Sequence, residues 1–198
     1  MTITYEVGNS LYVNVTNRCT NNCTFCVRHS KDMYNGKDNM WLEREPTSEE
    51  ILADIRRRDL SRYKHLVFCG YGEPSYRLPE LCDIAKIIKK ESDIPIRINT
   101  NGHADHIWGR PMAPLMEGAI DICSISLNES TPERYDEVCK PNFEGAFQAM
   151  LDFAAEAKKY VPKVVLSIVD VIPQEEIERC RAIAQQLGVE FRVRAFIS

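Results

Sequence analysis

Three cysteines lie close together near the start of the chain, at Cys19, Cys23 and Cys26. Thiolates are the usual ligands of iron–sulfur clusters, and a four-iron cluster offers four iron corners. Three cysteines fill three corners and leave one iron able to bind a small molecule directly. The spacing alone would also suit zinc or a chance grouping, but zinc sites normally add a second cysteine pair or closely spaced histidines. The sequence has neither, so the spacing favours an iron–sulfur cluster with one open iron.

Two later segments have residue types suited to binding a cofactor, and each follows a predicted strand. In residues 70–74 two glycines lack a β-carbon, so the backbone can approach a ligand closely, and Glu73 can form charge-assisted hydrogen bonds. In residues 124–128 a hydroxyl at Ser126 and an amide at Asn128 could bind a ribose diol. Each segment alone would be an ordinary strand end, and Glu73 could simply cap the next helix. Their order behind the cysteines favours cofactor binding.

These motifs resemble those of the radical SAM superfamily, which uses S-adenosylmethionine (SAM). Phe25 precedes the third cysteine as in that signature, and residues 70–74 are similar to its GGEP motif, although Tyr71 replaces the second glycine. Four further segments are similar to the small TatD-associated radical SAM family: Cys26-Val27-Arg28, Trp41–Pro46, Asn99–His103 and Tyr160-Val161-Pro162.

The resemblance implies a set of cofactors and the residues that hold them. A 4Fe-4S cluster would be bound by Cys19, Cys23 and Cys26. The implied SAM-binding residues are Phe25, Gly70, Tyr71, Gly72, Glu73, Asn99, Ser126 and Asn128. The reduced cluster would cleave SAM to a 5′-deoxyadenosyl radical that abstracts hydrogen from a substrate. The resemblance also implies a small-molecule substrate and an electron donor such as flavodoxin or ferredoxin.

Composition narrows the class of protein. The chain has 198 residues, a formal net charge of −4 and a pI of about 5.7, which argues against nucleic-acid binding. No apolar run is long enough to cross a bilayer and the N-terminus lacks the pattern of a signal peptide, so we expect no membrane association and a cytoplasmic location. The length fits a single domain over residues 1–198, with a cluster loop at 17–28.

Strand-like and helix-like segments alternate along the chain, which predicts an α/β protein with a parallel sheet. The predicted strands are Leu11–Thr16, His65–Cys69, Ile94–Asn99, Ile120–Leu127, Lys163–Ile172 and Glu190–Ile197. The predicted helices are Ser48–Tyr63, Leu78–Ser92, Ala113–Glu117, Phe143–Tyr160 and Gln174–Leu187. Thr131-Pro132 is a further helix-start signal. Six strands cannot close an eight-stranded barrel, and the resemblance implies an open (β/α)6 partial TIM barrel with parallel strands.

Several strands alternate polar and apolar residues, which predicts a polar concave face where a ligand binds. Arg97, Arg192 and Arg194 could bind a carboxylate or phosphate there, or could pair with acids such as Asp170 as part of the scaffold. Cys69 could face this cavity, although packing is the simpler expectation.

Two other regions have competing interpretations. Residues 27–46 form either a lid over the site or a surface loop pinned by Trp41. His103 and His106 lie in a turn and are expected to face solvent rather than act as acid, base or ligand. Four isolated cysteines are expected to be buried as small hydrophobes: Cys82, Cys123, Cys139 and Cys180.

The favoured function is a radical SAM enzyme acting on a small polar or anionic substrate. One alternative is an activase that installs a glycyl radical on a partner protein. Another is a ring contraction like that of 7-carboxy-7-deazaguanine synthase. An iron–sulfur electron carrier or sensor is a non-enzymatic alternative, but it would need a fourth protein ligand beyond the three grouped cysteines.

Overall fold

The computed structural model describes residues 1–29, 33–34 and 38–195, and within them seven strands form one sheet. These strands are β1 (Thr4–Val7), β2 (Ser10–Val13), β5 (His65–Phe68), β6 (Ile96–Thr100), β7 (Ile122–Ser126), β8 (Lys163–Val169) and β9 (Glu190–Arg194). Two short strands, β3 (Met33–Tyr34) and β4 (Asp38–Asn39), pair separately. The helices are α1 (Ser48–Arg56), α2 (Leu78–Glu91), α3 (Ala104–Trp108), α4 (Pro132–Cys139), α5 (Ala146–Ala157) and α6 (Gln174–Leu187).

The sheet is an open parallel barrel, as predicted. Its strands lie in the order β1-β2-β5-β6-β7-β8-β9, and every pair from β2 to β9 is parallel. Strand β1 was not predicted; it pairs antiparallel with β2 through a turn at Gly8, whose φ is +58°. The hairpin extends one edge of the sheet, while β9 forms the other edge.

Three helices differ from the predictions in their boundaries or type, and capping residues or a glycine with positive φ mark two of the changes. The predicted Ser48–Tyr63 helix ends at Arg56 and is followed by a separate 3-10 turn that begins at the Asp59 cap. The predicted Phe143–Tyr160 helix starts only at Ala146, since Gly145 has a φ of +74°. The predicted Ala113–Glu117 helix is a 3-10 turn.

Helices α3 and α4 were missing from the predictions, although Thr131 does cap α4. The long helix α6 runs from Gln174 to Leu187, as predicted. Within the described part of the chain, no helix has the length and apolar character needed to cross a membrane.

The strand residues alternate between the helix-packed core and the concave face. On β6, Ile96 and Ile98 are buried in the core under the helices, while Arg97 and Asn99 are half-buried on the opposite face. Strand register places the same alternation on its neighbours. The concave face, called the lumen below, therefore carries the polar side chains that the sequence pattern predicted, such as Arg97 and Asn99, beside apolar ones such as Val67, Ile122 and Val165.

Candidate active site

The three grouped cysteines lie on the loop that follows β2. Cys19, Cys23 and Cys26 are half-buried free thiols, whereas Cys82, Cys123, Cys139 and Cys180 are fully buried, as predicted. Among the described residues, no three His, Cys, Asp or Glu side chains converge on a point that one metal ion could fill. A four-iron cluster binds each thiolate at a different iron, so its ligands need not converge. Three accessible thiols on one loop fit such a cluster.

The end of α4 holds this loop in place through backbone hydrogen bonds. Asn22 N donates to the Cys139 carbonyl at 3.0 Å, and Thr24 N donates to the Val138 carbonyl at 2.9 Å. From the other side, Asn142 N donates to the Thr20 carbonyl at 2.9 Å. The cluster loop therefore takes its shape from a helix more than a hundred residues later in the chain, which spacing arguments could not reveal.

Burial alters the acidity of the three thiols. It raises the pKa of Cys19 to about 12, with a further contribution from the nearby Glu73 carboxylate, and it also raises the pKa of Cys26. A hydrogen bond with Cys139 lowers the pKa of Cys23. Metal binding requires thiolates, so a cluster held by these cysteines would displace protons from Cys19 and Cys26.

His103 is fully buried behind the cluster loop, so the expectation of a solvent-facing turn histidine was wrong. Its Nε2 lies 3.2 Å from the Ala146 carbonyl oxygen, which only accepts, so Nε2 donates and Nδ1 accepts from the Thr20 hydroxyl at 2.9 Å. The same hydroxyl accepts from Asn101 Nδ2 at 2.7 Å. His103 is thus a neutral link between the loop after β6 and the residue that follows Cys19.

A second arm of this network reaches the loop through Tyr135. Its hydroxyl lies 3.2 Å from His103 Nε2 and accepts from Asn21 Nδ2 at 3.1 Å. Thr20 and Tyr135 were not singled out by sequence reasoning. The only signal was the Asn99–His103 segment, which was noted for its family resemblance rather than for this bracing role.

We expect the stability of the cluster-free protein to fall as the pH drops from about 6.5 to about 4 because of His103. Burial lowers its pKa from 6.5 to about 4, so between those values the unfolded chain binds a proton that the folded chain does not. The full effect is about 3 kcal/mol, at about 1.4 kcal/mol per pH unit. Urea unfolding across this range should show a shallower dependence for His103→Gln; equal slopes would contradict the assignment.

The glycine motif packs directly against β2 and the start of the cluster loop. A β-carbon on Gly72 would overlap the Thr16 carbonyl oxygen and lie 2.7 Å from that of Arg18, and one on Gly70 would overlap the Asn14 amide. The sequence argument assigned these glycines to ligand approach. The structure adds a packing requirement, since Gly72 lies against the backbone of another segment and Gly70 lies against the Asn14 side chain.

Glu73 is buried, and its carboxylate joins three backbone and side-chain donors. It accepts from Ser75 N at 2.9 Å, from the Thr100 hydroxyl at 2.6 Å and from Asn101 N at 2.7 Å. The alternative of a helix cap is therefore confirmed, because Glu73 caps the 3-10 turn Pro74–Arg77. Burial raises the pKa of this carboxyl. Contact of Glu73 and the glycines with SAM stays a prediction.

Asn99, Ser126 and Asn128 lie at the carboxyl ends of β6 and β7, the edge where ligands of parallel barrels bind. Asn128 has a φ of +59°, and its buried Oδ1 has no hydrogen-bond partner. A buried amide oxygen without a partner fits a ligand that donates a hydroxyl hydrogen. Phe25 is half-buried on the cluster loop, and Tyr71 is buried against Trp41, with ring centroids 5.3 Å apart.

Cys69 belongs to the lumen rather than to the helix-packed core. It is half-buried, it follows β5 on the face opposite the core residue Phe68, and burial raises the pKa of its thiol. Arg97 donates from Nη2 to the Tyr12 hydroxyl at 2.8 Å, and Arg194 lies 3.4 Å from the Ser126 hydroxyl. Whether Cys69 serves packing or chemistry stays a prediction.

The lumen arginines have no acidic partner among the described residues. Asp170, the acid suggested for them by sequence, is exposed and forms no ion pair with any described residue. The Nε atoms of Arg97 and Arg194 are buried and unpartnered. These side chains are thus not explained as a salt-bridged scaffold.

The returning part of the 27–46 loop is fixed to the end of β2. Asn14 Nδ2 donates to the Met40 carbonyl at 2.8 Å, and Asn17 Nδ2 donates to the Leu42 carbonyl at 2.8 Å. Glu45 accepts from the Thr16 hydroxyl at 2.6 Å. Residues 30–32 and 35–37 of the predicted lid loop lie outside the described residues, as do residues 196–198 of the predicted last strand.

Comparison with known proteins places this site in a family. The model of the radical SAM superfamily matches residues 13–187. A curated relative from Methanocaldococcus jannaschii, named a probable GTP 3′,8-cyclase, is 28% identical over 131 residues, which cover 66% of this chain and 40% of the relative. This chain thus spans less than half of that relative's length.

Two solved structures share the fold. SuiB from Streptococcus suis, bound to SAM, aligns with a TM-score of 0.65 and 16% identity over 94% of this chain and 38% of its own. HydG, a maturase of the FeFe hydrogenase, aligns with a TM-score of 0.64 and 16% identity over 95% of this chain and 42% of its own. The resemblance to the TatD-associated family stays a prediction. The matched motifs, the open barrel and the thiol loop together establish that this chain belongs to the radical SAM superfamily, whose enzymes use SAM and a 4Fe-4S cluster.

Proposed function

We propose that this chain uses SAM and a 4Fe-4S cluster to abstract a hydrogen atom from a small polar or anionic substrate held in the lumen. The observation that carries this proposal is the polar lumen itself. It opens beneath the strand ends that bear Asn99, Ser126 and Asn128, and it contains arginines that no described carboxylate neutralises. Buried polar groups without partners are costly, which favours a polar ligand as their partner.

The roles of individual residues follow from their chemistry and position. Cys19, Cys23 and Cys26 would hold the cluster. Backbone carbonyls of residues 70–72 would accept from the methionine ammonium, and Asn128 would orient the ribose. When bound, SAM supplies a 5′-deoxyadenosyl radical for hydrogen abstraction.

Three other residues would complete the SAM site. Asn99 and Ser126 offer further polar contacts at the same edge, and Phe25 offers an apolar face for the adenine. The end of α4 would exclude water from one side of the site, because backbone hydrogen bonds join it to the cluster loop.

Formation of 5′-deoxyadenosine tests the proposal. The protein, reconstituted anaerobically with iron and sulfide and reduced with dithionite, should convert SAM to 5′-deoxyadenosine. The same reaction without dithionite is the control, since the chemistry needs an electron. A loaded cluster that neither binds SAM nor yields deoxyadenosine would contradict the proposal and favour an electron carrier.

The first substrate panel should include GTP. The relative named a probable GTP 3′,8-cyclase covers two thirds of this chain, and a nucleotide would bring anionic groups to the arginines. Acceleration of deoxyadenosine formation by one compound of the panel would identify the substrate class. A requirement for a partner protein instead would favour the glycyl-radical activase.

The proposal includes two further points: residues 1–198 form one domain, and residues 27–46 act as a lid over the site. Exchange of deuterium into the loop, with and without SAM, would test the lid: protection confined to residues 27–38 on SAM addition is the expected result. Residues 39–46 should change little, because Asn14 and Asn17 already fix them to β2.

A further inference from the structure

The charges that face the lumen are almost all positive. Strand register and side-chain alternation place Arg97, Arg192 and Arg194 on this face. The only carboxylate at a lumen-facing position of the described strands is that of Glu190. It is exposed at the amino-terminal end of β9 and pairs with Lys163 at 2.7 Å. Burial and the neighbouring Arg192 and Arg97 lower the pKa of the Arg194 guanidinium, while Cys69 and Tyr12 raise it. An anion bound between these guanidinium groups would relieve the repulsion among their like charges.

Two of these arginines are held in position while part of each guanidinium stays unsatisfied. The Tyr12 hydroxyl accepts a hydrogen bond from Arg97 Nη2 at 2.8 Å. The Arg97 Cζ atom also lies over the Tyr12 ring, 5.8 Å from its centroid. The Ser126 hydroxyl lies 3.4 Å from Arg194 Nη2. The Nε atom of each arginine is buried without a partner. A guanidinium fixed by a neutral neighbour, with an Nε–H still available, is suited to bind an oxyanion with two parallel hydrogen bonds.

The space around Arg97 is large enough for a ligand. A cavity of about 370 Å³ at the lower end of the lumen is lined by Arg97, Ser124 and Arg192, with Lys64 and His65 at its mouth. Its described lining includes Glu190 as the one acid, and that residue is already paired. The positive charge therefore continues from the mouth of the cavity to the level of Ser126.

We propose that Arg97 and Arg194 bind an oxyanion group of the substrate, a carboxylate or a phosphate, inside the lumen. This inference rests on the proposed function where it assigns the anion to the substrate. Anion binding at this site requires neither SAM nor turnover. Tyr12 and Ser126 position the two guanidinium groups and can donate their own hydroxyl hydrogens to the anion. The substrate is thereby an organic acid or a phosphate ester rather than a neutral molecule or a cation.

Binding of simple anions to the cluster-loaded protein, without SAM, tests this site. The anions are inorganic phosphate, pyrophosphate, acetate and succinate, titrated by calorimetry and by thermal unfolding at constant ionic strength set with chloride. We expect saturable binding of at least one of them, weakened about tenfold or more by Arg97→Gln or Arg194→Gln, because each removes a charge-assisted pair. Phosphates and carboxylates, compared at equal concentration, show which oxyanion the site prefers.

Two further variants separate a lost site from a general loss of charge or fold. Arg56→Gln removes one positive charge from an exposed ion pair with Glu91 on the outer surface and should leave anion binding unchanged. Arg194→Lys keeps the charge but not the forked donor and should bind at an intermediate strength, and circular dichroism confirms that each variant is folded. Binding that is absent in the wild type, or unaffected by both lumen substitutions, would overturn the inference.

The outcomes distinguish the anion site from the catalytic proposal. Saturable anion binding by a cluster-loaded protein that neither binds SAM nor forms deoxyadenosine would contradict the proposed function and retain the site. Deoxyadenosine formation without any anion binding would retain the proposed function and overturn the site.

Discussion

Replacing Cys19, Cys23 or Cys26 with alanine should reduce deoxyadenosine formation to the level of a protein-free reaction. Each thiolate would anchor a different iron, so losing one removes an anchor and alters the corner at which SAM must chelate. The three cysteines share one half-buried loop, and none is engaged in a disulfide. Iron and sulfide content, visible absorption and deoxyadenosine yield, measured together, would separate loss of the cluster from loss of SAM cleavage.

Cys180→Ala is the matched control for these three variants. Cys180 is fully buried on α6 and packs as a small apolar side chain, so its replacement should leave cluster content and SAM cleavage at wild-type levels. If Cys180→Ala lost the cluster too, or if any single loop variant kept full activity, the assignment of the loop cysteines as the three ligands would be wrong.

Among the glycines that the structure describes, Gly72→Ala should be the most destabilising substitution, at about 3 kcal/mol or more. A β-carbon here meets two backbone carbonyl oxygens, those of Thr16 and Arg18, and backbone cannot rotate away as a side chain can. Glu73 N also donates to the Arg18 carbonyl at 2.7 Å, so a shift at Gly72 would break that bond. Urea unfolding of the cluster-free protein measures the loss, and SAM cleavage should fail with it.

Two glycine controls locate the cause of that loss. Gly118→Ala introduces a β-carbon into open space at a φ of +68°, which should cost only about 1–2 kcal/mol from backbone strain. Gly70→Ala should fall between the two, since its new methyl meets the Asn14 side chain rather than backbone. A Gly72→Ala protein as stable as Gly118→Ala would show that the motif glycines are not required by packing.

The sequence by itself determined the fold class and the chemistry of the cofactors. The spacing of Cys19, Cys23 and Cys26 is a local property. The first and last of them are only seven residues apart, so the motif can be recognised without knowing the rest of the fold. The alternation around Arg97 is equally local, since successive side chains of a strand point to opposite faces. The parallel order of the strands followed from repeated strand–helix units, and the six-stranded open barrel was implied by the family resemblance.

Only the tertiary structure decided what surrounds those residues. His103 lies in a polar turn by sequence, but α5 and the cluster loop close over it, so it is buried and neutral. The partners of the lumen arginines could not be assigned by sequence, because pairing with Asp170 depends on which side of a strand end each residue faces. The same holds for whether Cys69 faces the lumen or the core. Gly72 was attributed to ligand approach, but its neighbours come from the end of β2. Burial and close packing depend on segments that are distant in sequence, so they could not be predicted here. Ligand spacing and strand periodicity depend on only a few neighbouring residues, so they could be predicted.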